Sequence, residues 1–174
     1  MLTIDLVRLK KERGPVRIRE EVPEDSPLFQ DTDIQLASAL TVDLEASLLN
    51  RGEVIVRGGF SGVLSRKCRR CLEPVRVPLD EKVDLLFVPE DELGPEEGEE
   101  EDETRRFDPM RGALDLAEAI REEVVLAAPL YVECDPECRG LCPRCGKNLN
   151  EGDCDCVLDE PDPRWDALRA INRE

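Results

Sequence analysis

The spacing of eight cysteines is the feature that most constrains this chain. They form four close pairs in a sequence of 174 residues that contains no histidine. The pairs are Cys68/Cys71, Cys134/Cys138, Cys142/Cys145 and Cys154/Cys156. Thiols paired in this way are typical of tetrahedral zinc sites, and eight of them divide evenly into two four-cysteine sites. The sequence therefore predicts one or two structural zinc ions.

Spacing alone leaves the grouping of the pairs open. In one arrangement the two CxxC pairs share an ion, as in a zinc ribbon, and Cys134/Cys138 join Cys154/Cys156. In another arrangement the first two pairs of the C-terminal cluster bind locally, and Cys68/Cys71 meet Cys154/Cys156. One zinc with some free thiols also fits the count.

Disulfides and a thiol–disulfide active site are the competing interpretations of the cysteines. The N-terminal stretch MLTIDLVRLKKERG lacks the basic-then-apolar order of a secretory signal, and no run approaches the ~18 apolar residues of a membrane span. A cytoplasmic location without membrane contact is therefore expected, and disulfides are uncommon there. A redox CxxC normally opens a helix, whereas Cys68 is predicted at a hairpin tip. Zinc is accordingly the favoured interpretation.

Apolar residues alternate with polar ones in three runs after residue 40. The runs are 42–48, 54–64 and 75–87, with the turn signal Asn50-Arg51-Gly52 between the first two. This period-two pattern predicts an antiparallel β meander with one buried face. Gly58, Gly59 and Gly62 predict a bend or bulge in the second strand, and Pro78 predicts an edge or an interruption in the third. Before residue 40 the signal is weaker: Leu2, Ile4, Leu6, Val16 and Ile18 suggest short strands.

Helical signals follow in the C-terminal part. Asp115 is predicted to cap a helix that Pro129 ends, and Asp162-Pro163 to begin a second one carrying Trp165. The fold class is therefore α+β: an antiparallel meander, one or two packed helices and a small Cys-rich zinc-binding C-terminal lobe. We divide the chain into a mainly β body (1–89), an acidic disordered loop (90–106) and a segment (107–174) whose helices and zinc lobe pack on the same domain.

The charge balance bears on the partner. The net charge is −17, and ten of the acidic residues lie between Glu90 and Glu103 without a basic residue among them. Such acidity disfavours phosphate-rich surfaces and favours basic proteins. The exception is a basic concentration at the first cysteine pair. There Arg66, Lys67, Arg69 and Arg70 offset thiolate charge or form a contact with RNA or another partner.

Four motifs in order, CRRCLEPV, LDLAEAIREEVVLAAPL, CRGLCPRCGKNLN and DPRWDAL, resemble the YceD family over residues 40–172. The resemblance implies a cytoplasmic ribosome-biogenesis factor that is needed for 23S rRNA to accumulate. It brings no catalytic residue to this chain.

Two classes of function are compatible with these observations. The first is a non-enzymatic factor that binds the large-subunit precursor through a basic ribosomal protein, 23S rRNA or both, with no small-molecule substrate. The second is an rRNA-processing enzyme or a thiol redox protein. Without histidine no Ser/His or Cys/His dyad is available, and the adjacent Glu122 and Glu123 would point about 100° apart on a helix. We therefore expect the non-enzymatic role.

Overall fold

The computed structural model describes residues 2–12, 14–90 and 105–156 as an α+β fold. Its strands are β1 (Thr3–Asp5), β2 (Val16–Val22), β3 (Leu40–Leu48), β4 (Val54–Lys67), β5 (Pro74–Pro89), β6 (Arg105–Phe107) and β7 (Ala113–Asp115). The described residues also form helices α1 (Leu6–Glu12) and α2 (Ala117–Ala127), with a 3₁₀ turn at Pro27–Phe29. The main sheet has the order β2-β3-β4-β5-β6, and β1 pairs with β7 in a small second sheet.

The predicted meander of β3, β4 and β5 is confirmed. The three strands pair antiparallel, with Leu44 opposite Gly58 and Val56 opposite Leu85. Apolar residues of one parity form the core side of these strands: Val42, Leu44, Ala46, Val54, Val56, Phe60, Leu64, Leu79, Val83, Leu85 and Phe87. Leu9 of α1 and Ile120 of α2 belong to the same buried cluster, so both helices cover this face.

The glycines of β4 permit close approach between strands. The prediction of a bulge is wrong, because β4 keeps an unbroken one-to-one register with β3 and with β5. A Cβ added at Gly58 would lie 2.1 Å from the carbonyl oxygen of Asp43, and Gly58 has a φ of +149°. A Cβ at Gly59 would lie 2.4 Å from the carbonyl oxygen of Glu81. Both positions therefore exclude side chains.

Strand β5 is an edge over most of its length, as Pro78 predicted. It pairs with β4 throughout, and within residues 2–12, 14–90 and 105–156 its other side pairs with β6 only at Phe87–Pro89. The β5–β6 pair is parallel, so the sheet is mixed rather than purely antiparallel. Strand β6 begins at Arg105, inside the segment expected as the acidic loop; residues 91–104 of that segment lie outside the described residues.

The N-terminal segment contains a helix that the sequence did not predict. Leu6, expected in a strand, begins α1, and the N–H of Arg8 donates to Asp5 Oδ1 at 2.9 Å. Leu6 and Leu9 are buried, which is the three-residue spacing of a helical face. Seven residues hold too few turns for the helical period to outweigh the neighbouring strand pattern.

Helix α2 confirms the predicted helix that Pro129 ends, but its N-cap position falls on Leu116, one residue after the predicted Asp115. The N–H of Ala117 donates to Asp115 Oδ1 at 2.9 Å, and the helix ends at Ala127 just before Pro129. Among the described residues no helix is long and apolar enough to cross a membrane. The second predicted helix, with Trp165, lies outside the described residues.

We predict that Gly58→Ala lowers the free energy of unfolding by about 2–3 kcal/mol, because the methyl group meets backbone that cannot move aside. Gly14→Ala is the matched control, since its nearest neighbour to an added Cβ is 3.7 Å away. Urea unfolding of both variants measures the difference. Equal stability of the two variants would contradict the close approach of β3 and β4.

Candidate metal centres

The turn between β4 and β5 forms the base of the first centre, where the sequence predicted a hairpin tip. The N–H of Cys68 donates to the carbonyl of Glu73 at 2.8 Å, and the N–H of Leu72 donates to the carbonyl of Cys68 at 2.9 Å. Leu72 has a φ of 63°, which reverses the chain after Cys71. The N–H of Arg70 donates to Cys68 Sγ at 3.4 Å. The turn therefore aims backbone donors at sulfur, as a metal knuckle does.

The first centre consists of Cys68, Cys71, Cys134 and Cys138, whose sulfurs all lie within 4.8 Å of one another. The Cys71–Cys134 sulfur distance is 3.5 Å, and the Cys68–Cys138 distance is 3.9 Å. Metal–sulfur bonds of ~2.3 Å around a tetrahedral ion place the sulfurs about 3.8 Å apart. The spacing therefore fits one ion. Of the four residues, Cys134 alone is exposed.

Backbone contacts hold the C-terminal segment against this turn. The N–H of Arg69 donates to the carbonyl of Val132 at 2.8 Å, and the N–H of Leu141 donates to the carbonyl of Arg70 at 3.1 Å. Gly140 packs so closely that a Cβ there would lie 3.1 Å from the Arg70 carbonyl oxygen. The segment therefore flanks the hairpin tip on both sides of the first centre.

The second centre consists of Cys142, Cys145, Cys154 and Cys156, also with all sulfurs within 4.8 Å of one another. The N–H of Cys142 donates to the carbonyl of Lys147 at 2.8 Å, and the N–H of Gly146 donates to the carbonyl of Cys142 at 2.9 Å. Gly146 has a φ of 74°, a backbone conformation that favours glycine, and it follows directly after Cys145 in this turn. This centre is more open than the first, because Cys142 is its only buried member.

Neither predicted grouping of the cysteines matches the structure. The CxxC pair of the hairpin joins Cys134/Cys138, and the second CxxC pair joins Cys154/Cys156. The local grouping fails because Cys134/Cys138 precede the Gly140 contact and face the hairpin, whereas Cys142 follows it. Each centre therefore combines one CxxC pair with one pair of different spacing. The structure joins none of the eight cysteines in a disulfide.

Asn150 connects the two centres, and the sequence analysis missed it. Its Nδ2 donates to Cys138 Sγ of the first centre at 3.3 Å. Its Oδ1 accepts the N–H of Arg139 at 2.8 Å, and its own N–H donates to Asn148 Oδ1 at 3.1 Å. Asn150 lies in the loop between Cys145 and Cys154 of the second centre, so that loop supplies a donor to the first. A lone asparagine between cysteines is too common a signal to have been singled out.

Backbone N–H groups lower the pKa of one cysteine in each centre. The N–H of Cys71 is the main cause that lowers the pKa of Cys68 to about 6. In the second centre the N–H of Cys145 lowers the pKa of Cys142 to about 6. Both are CxxC turns, so the same local geometry produces the same effect. At neutral pH each centre holds at least one ionised sulfur.

Close contact between sulfurs raises the pKa of another cysteine in each centre. The hydrogen bond to Cys138 raises the pKa of Cys134 to about 12, and the hydrogen bond to Cys145 raises the pKa of Cys156 to about 12. Four sulfurs at these distances cannot all ionise unless a cation offsets their repulsion. The donor set therefore fits a thiophilic metal ion in each centre.

The basic residues at the hairpin bind within the protein. Arg66 donates from Nη1 to Asp33 Oδ2 at 2.9 Å and from Nη2 to the carbonyl of Pro129 at 3.3 Å. Arg66 therefore connects the C-terminal end of β4 to the residues that follow α2. Lys67, the next residue, is exposed.

Arg69 and Arg70 converge on one carboxylate beside the first centre. Arg69 Nε donates to Glu133 Oε1 at 2.7 Å, and Arg70 Nε lies 3.4 Å from the same oxygen. Arg70 Nη1 also donates to the carbonyls of Pro136 and Cys138, at 3.1 and 3.0 Å. These two arginines hold the Cys134–Cys138 turn in place.

These features define an α+β protein with two four-cysteine centres, the first of them at the turn between β4 and β5. The sequence profile of the family described as "Large ribosomal RNA subunit accumulation protein YceD" matches residues 56–172. The chain belongs to this YceD family, so the resemblance seen in its motifs is confirmed.

Similar proteins come from bacteria and from plastids. An uncharacterized protein of Mycobacterium tuberculosis is 30% identical over 169 residues, which cover 96% of this chain and 79% of that protein. A chloroplast protein of Arabidopsis thaliana, named YCED homolog 1, is 34% identical over 68 residues, covering 39% of this chain and 21% of its own length. Its Zea mays namesake is 28% identical over 131 residues, covering 61% of this chain and 45% of its own length. No solved structure matches the chain.

We predict that metal affinity falls on acidification, and more steeply below about pH 6, where Cys68 and Cys142 become protonated. Above pH 6, metal binding displaces protons only from the other cysteines of each centre. Below pH 6, it must also displace a proton from Cys68 or Cys142, so each unit of pH costs more affinity. Competition with a chromophoric zinc chelator between pH 5 and 8 measures the slope. A constant slope across pH 6 would contradict the pre-ionised thiolates.

Proposed function

We propose that this protein is a non-enzymatic ribosome-biogenesis factor that supports 23S rRNA accumulation and assembly of the large ribosomal subunit in the cytoplasm. The observation that carries the proposal is membership of a family described by accumulation of large-subunit rRNA. The Arabidopsis and maize relatives bear the same description in their names.

The metal in this proposal is zinc, one ion in each centre. Four thiolates in a tetrahedral arrangement leave no open position for a substrate, so such zinc is structural. The buried Cys68, Cys138 and Cys142 favour the same role, because substrate has little access to those sulfurs. The zinc ions would fasten residues 134–156 to the sheet and to each other.

The partner in this proposal is a basic ribosomal protein within the large-subunit precursor. Three of the four basic residues considered for RNA contact, Arg66, Arg69 and Arg70, already bind acceptors of this chain. Two zinc–tetrathiolate centres would add a formal −4 to the net charge of −17. A surface of this sign attracts Lys/Arg-rich chains and repels phosphate.

Two carboxylates of α2 bind an arginine at the edge of the main sheet. Glu122 and Glu123 both bind the guanidinium of Arg105, the first residue of β6. This arrangement anchors the short parallel strand against the helix, and it leaves the two carboxylates without the shared open position that a hydrolytic metal needs. The observation supports a non-enzymatic role.

We predict that the protein binds a Lys/Arg-rich large-subunit ribosomal protein at least about tenfold more tightly than 23S rRNA fragments at physiological salt. Parallel titrations of the full-length chain measure the ratio, and co-sedimentation with immature large subunits tests the cellular assignment. Lys67→Glu is a suitable variant, because it reverses the charge of an exposed lysine directly beside Cys68. It should leave binding to the ribosomal protein intact.

Tight RNA binding with a steep salt slope, abolished by Lys67→Glu, would contradict the choice of partner. Trimming of rRNA by purified protein, lost on a single substitution, would contradict the non-enzymatic role itself. Absence from immature large subunits would contradict the assignment to ribosome assembly.

A further inference from the structure

A stretch of only three residues separates the two metal centres. Cys138 of the first centre and Cys142 of the second lie at its two ends, and both are buried. Gly140, in the middle of the stretch, packs closely against Arg70 of the hairpin. The carbonyl of Gly140 also accepts the N–H of Leu149 at 2.9 Å. A change at one centre can therefore reach the other through very few residues.

The loop of residues 146–153, which we call the bridging loop, binds this stretch at several points. Besides the backbone bond just described, it makes two contacts with Arg139. The N–H of Arg139 donates to Asn150 Oδ1 at 2.8 Å, and the guanidinium of the same residue pairs with Asp153. The bridging loop therefore holds the residues that directly follow Cys138.

Asn150 carries the contact of the bridging loop with the first centre itself. Its Nδ2 donates to Cys138 Sγ at 3.3 Å and to Asn148 Oδ1 at 2.9 Å. The orientation of the amide is fixed, because a flipped side chain would set its oxygen against Asn148 Oδ1 and its NH₂ group against the N–H of Arg139. Loss of an outer hydrogen bond to a metal ligand typically lowers metal affinity about 10–100-fold. We therefore expect the first centre to bind metal more tightly when Asn150 is in place.

The position of Asn150 depends on the second centre. Cys145 directly precedes the bridging loop and Cys154 directly follows it, and both belong to that centre. Metal bound there would close the loop at both ends, which lowers the entropy cost of holding Asn150 against Cys138. The second centre is also the more open one, because one of its cysteines is buried whereas three are buried in the first centre.

We propose that the two centres bind metal cooperatively and that Asn150 is the positioning residue that couples them. Loading of the second centre closes the bridging loop, sets Asn150 Nδ2 against Cys138 Sγ and so raises the metal affinity of the first centre. Coupling between two binding sites is reciprocal, so loading of the first centre raises the affinity of the second by the same factor. The C-terminal lobe therefore gains and loses its two ions together. This inference rests on the metal binding proposed above and not on the ribosomal role.

Chelator competition with Zn²⁺, combined with native mass spectrometry of the full-length chain, measures the coupling. The overall constant for binding two ions to the unmodified chain is compared with the product of the constants of the separate centres. Those constants come from Cys154→Ser/Cys156→Ser, which damages the second centre, and from Cys71→Ser/Cys134→Ser, which damages the first. We expect the overall constant to exceed the product at least about tenfold. Asn150→Ala should reduce this excess to less than about threefold.

The effect of Asn150→Ala in two backgrounds separates coupling from a fixed role in the first centre. The substitution should weaken zinc binding at the first centre about tenfold when the second centre is loaded. It should have less than about a twofold effect in Cys154→Ser/Cys156→Ser, where the bridging loop is no longer closed. Asn50→Ala changes another exposed asparagine, in the turn between β3 and β4, and as the matched control it should alter neither affinity.

A further readout needs no substitution of cysteine. Asn150 is exposed, so its truncation opens no cavity in the core, and the variant keeps all eight thiols. With one equivalent of zinc, cooperative binding favours chains with two ions or none. Asn150→Ala should therefore increase the proportion of chains with one zinc. This comparison decides the question if a serine variant does not fold.

Three results would overturn the proposal. The first is independent binding of the two ions by the unmodified chain, and the second is an unchanged proportion of one-zinc chains in Asn150→Ala. The third is an equal effect of Asn150→Ala with and without the second centre, which would make Asn150 a fixed part of the first centre. A chain that binds no zinc would contradict the metal binding proposed above, whereas two ions bound independently would contradict only the coupling.

Discussion

The meeting of Cys134 and Cys138 with the β4–β5 hairpin is the contact on which the C-terminal lobe depends. Between Pro129 and Cys156 the chain forms no helix and no strand longer than a single bridge, and its fully buried residues are Cys138, Gly140 and Cys142. Apolar burial of this extent cannot offset the entropy of ordering so many residues. Structural zinc provides about 10–16 kcal/mol in small four-ligand sites. In this account the cation supplies the stability that the lobe lacks.

Electrostatics explains why the hairpin tip is basic in an acidic chain. Four thiolates around zinc carry a net negative charge, and N–H donors to sulfur together with nearby cations reduce its cost. Arg70 acts twice here: its N–H donates to Cys68 Sγ, and its guanidinium binds the carbonyl of Cys138. Glu133 in turn orients Arg69 and Arg70. The basic cluster is therefore part of the centre, and the exposed surface of the protein keeps its acidic character.

The sequence predicted the parts of the fold that a strong local period encodes. Strands β3 to β5 and helix α2 each repeat their apolar period several times, and all were located correctly. Helix α1 was missed because seven residues hold too few repeats, and the parallel pairing of β6 was missed because a three-residue strand carries no pattern. At Gly58 and Gly59 the sequence predicted a bend or bulge. Their role is instead to admit the carbonyl oxygens of neighbouring strands, and the order of residues does not show those contacts.

The candidate site was predicted in kind but not in connectivity. CxxC spacing indicates that two thiols approach one ion, whereas the choice of the other two depends on how Gly140 and Leu141 lie against Arg70. The most direct test is zinc stoichiometry by native mass spectrometry of two double variants. Cys71→Ser/Cys134→Ser damages one centre and should retain one zinc, whereas Cys71→Ser/Cys154→Ser damages both and should retain none. Equal stoichiometry in the two variants, or an unmodified protein without zinc, would contradict the account.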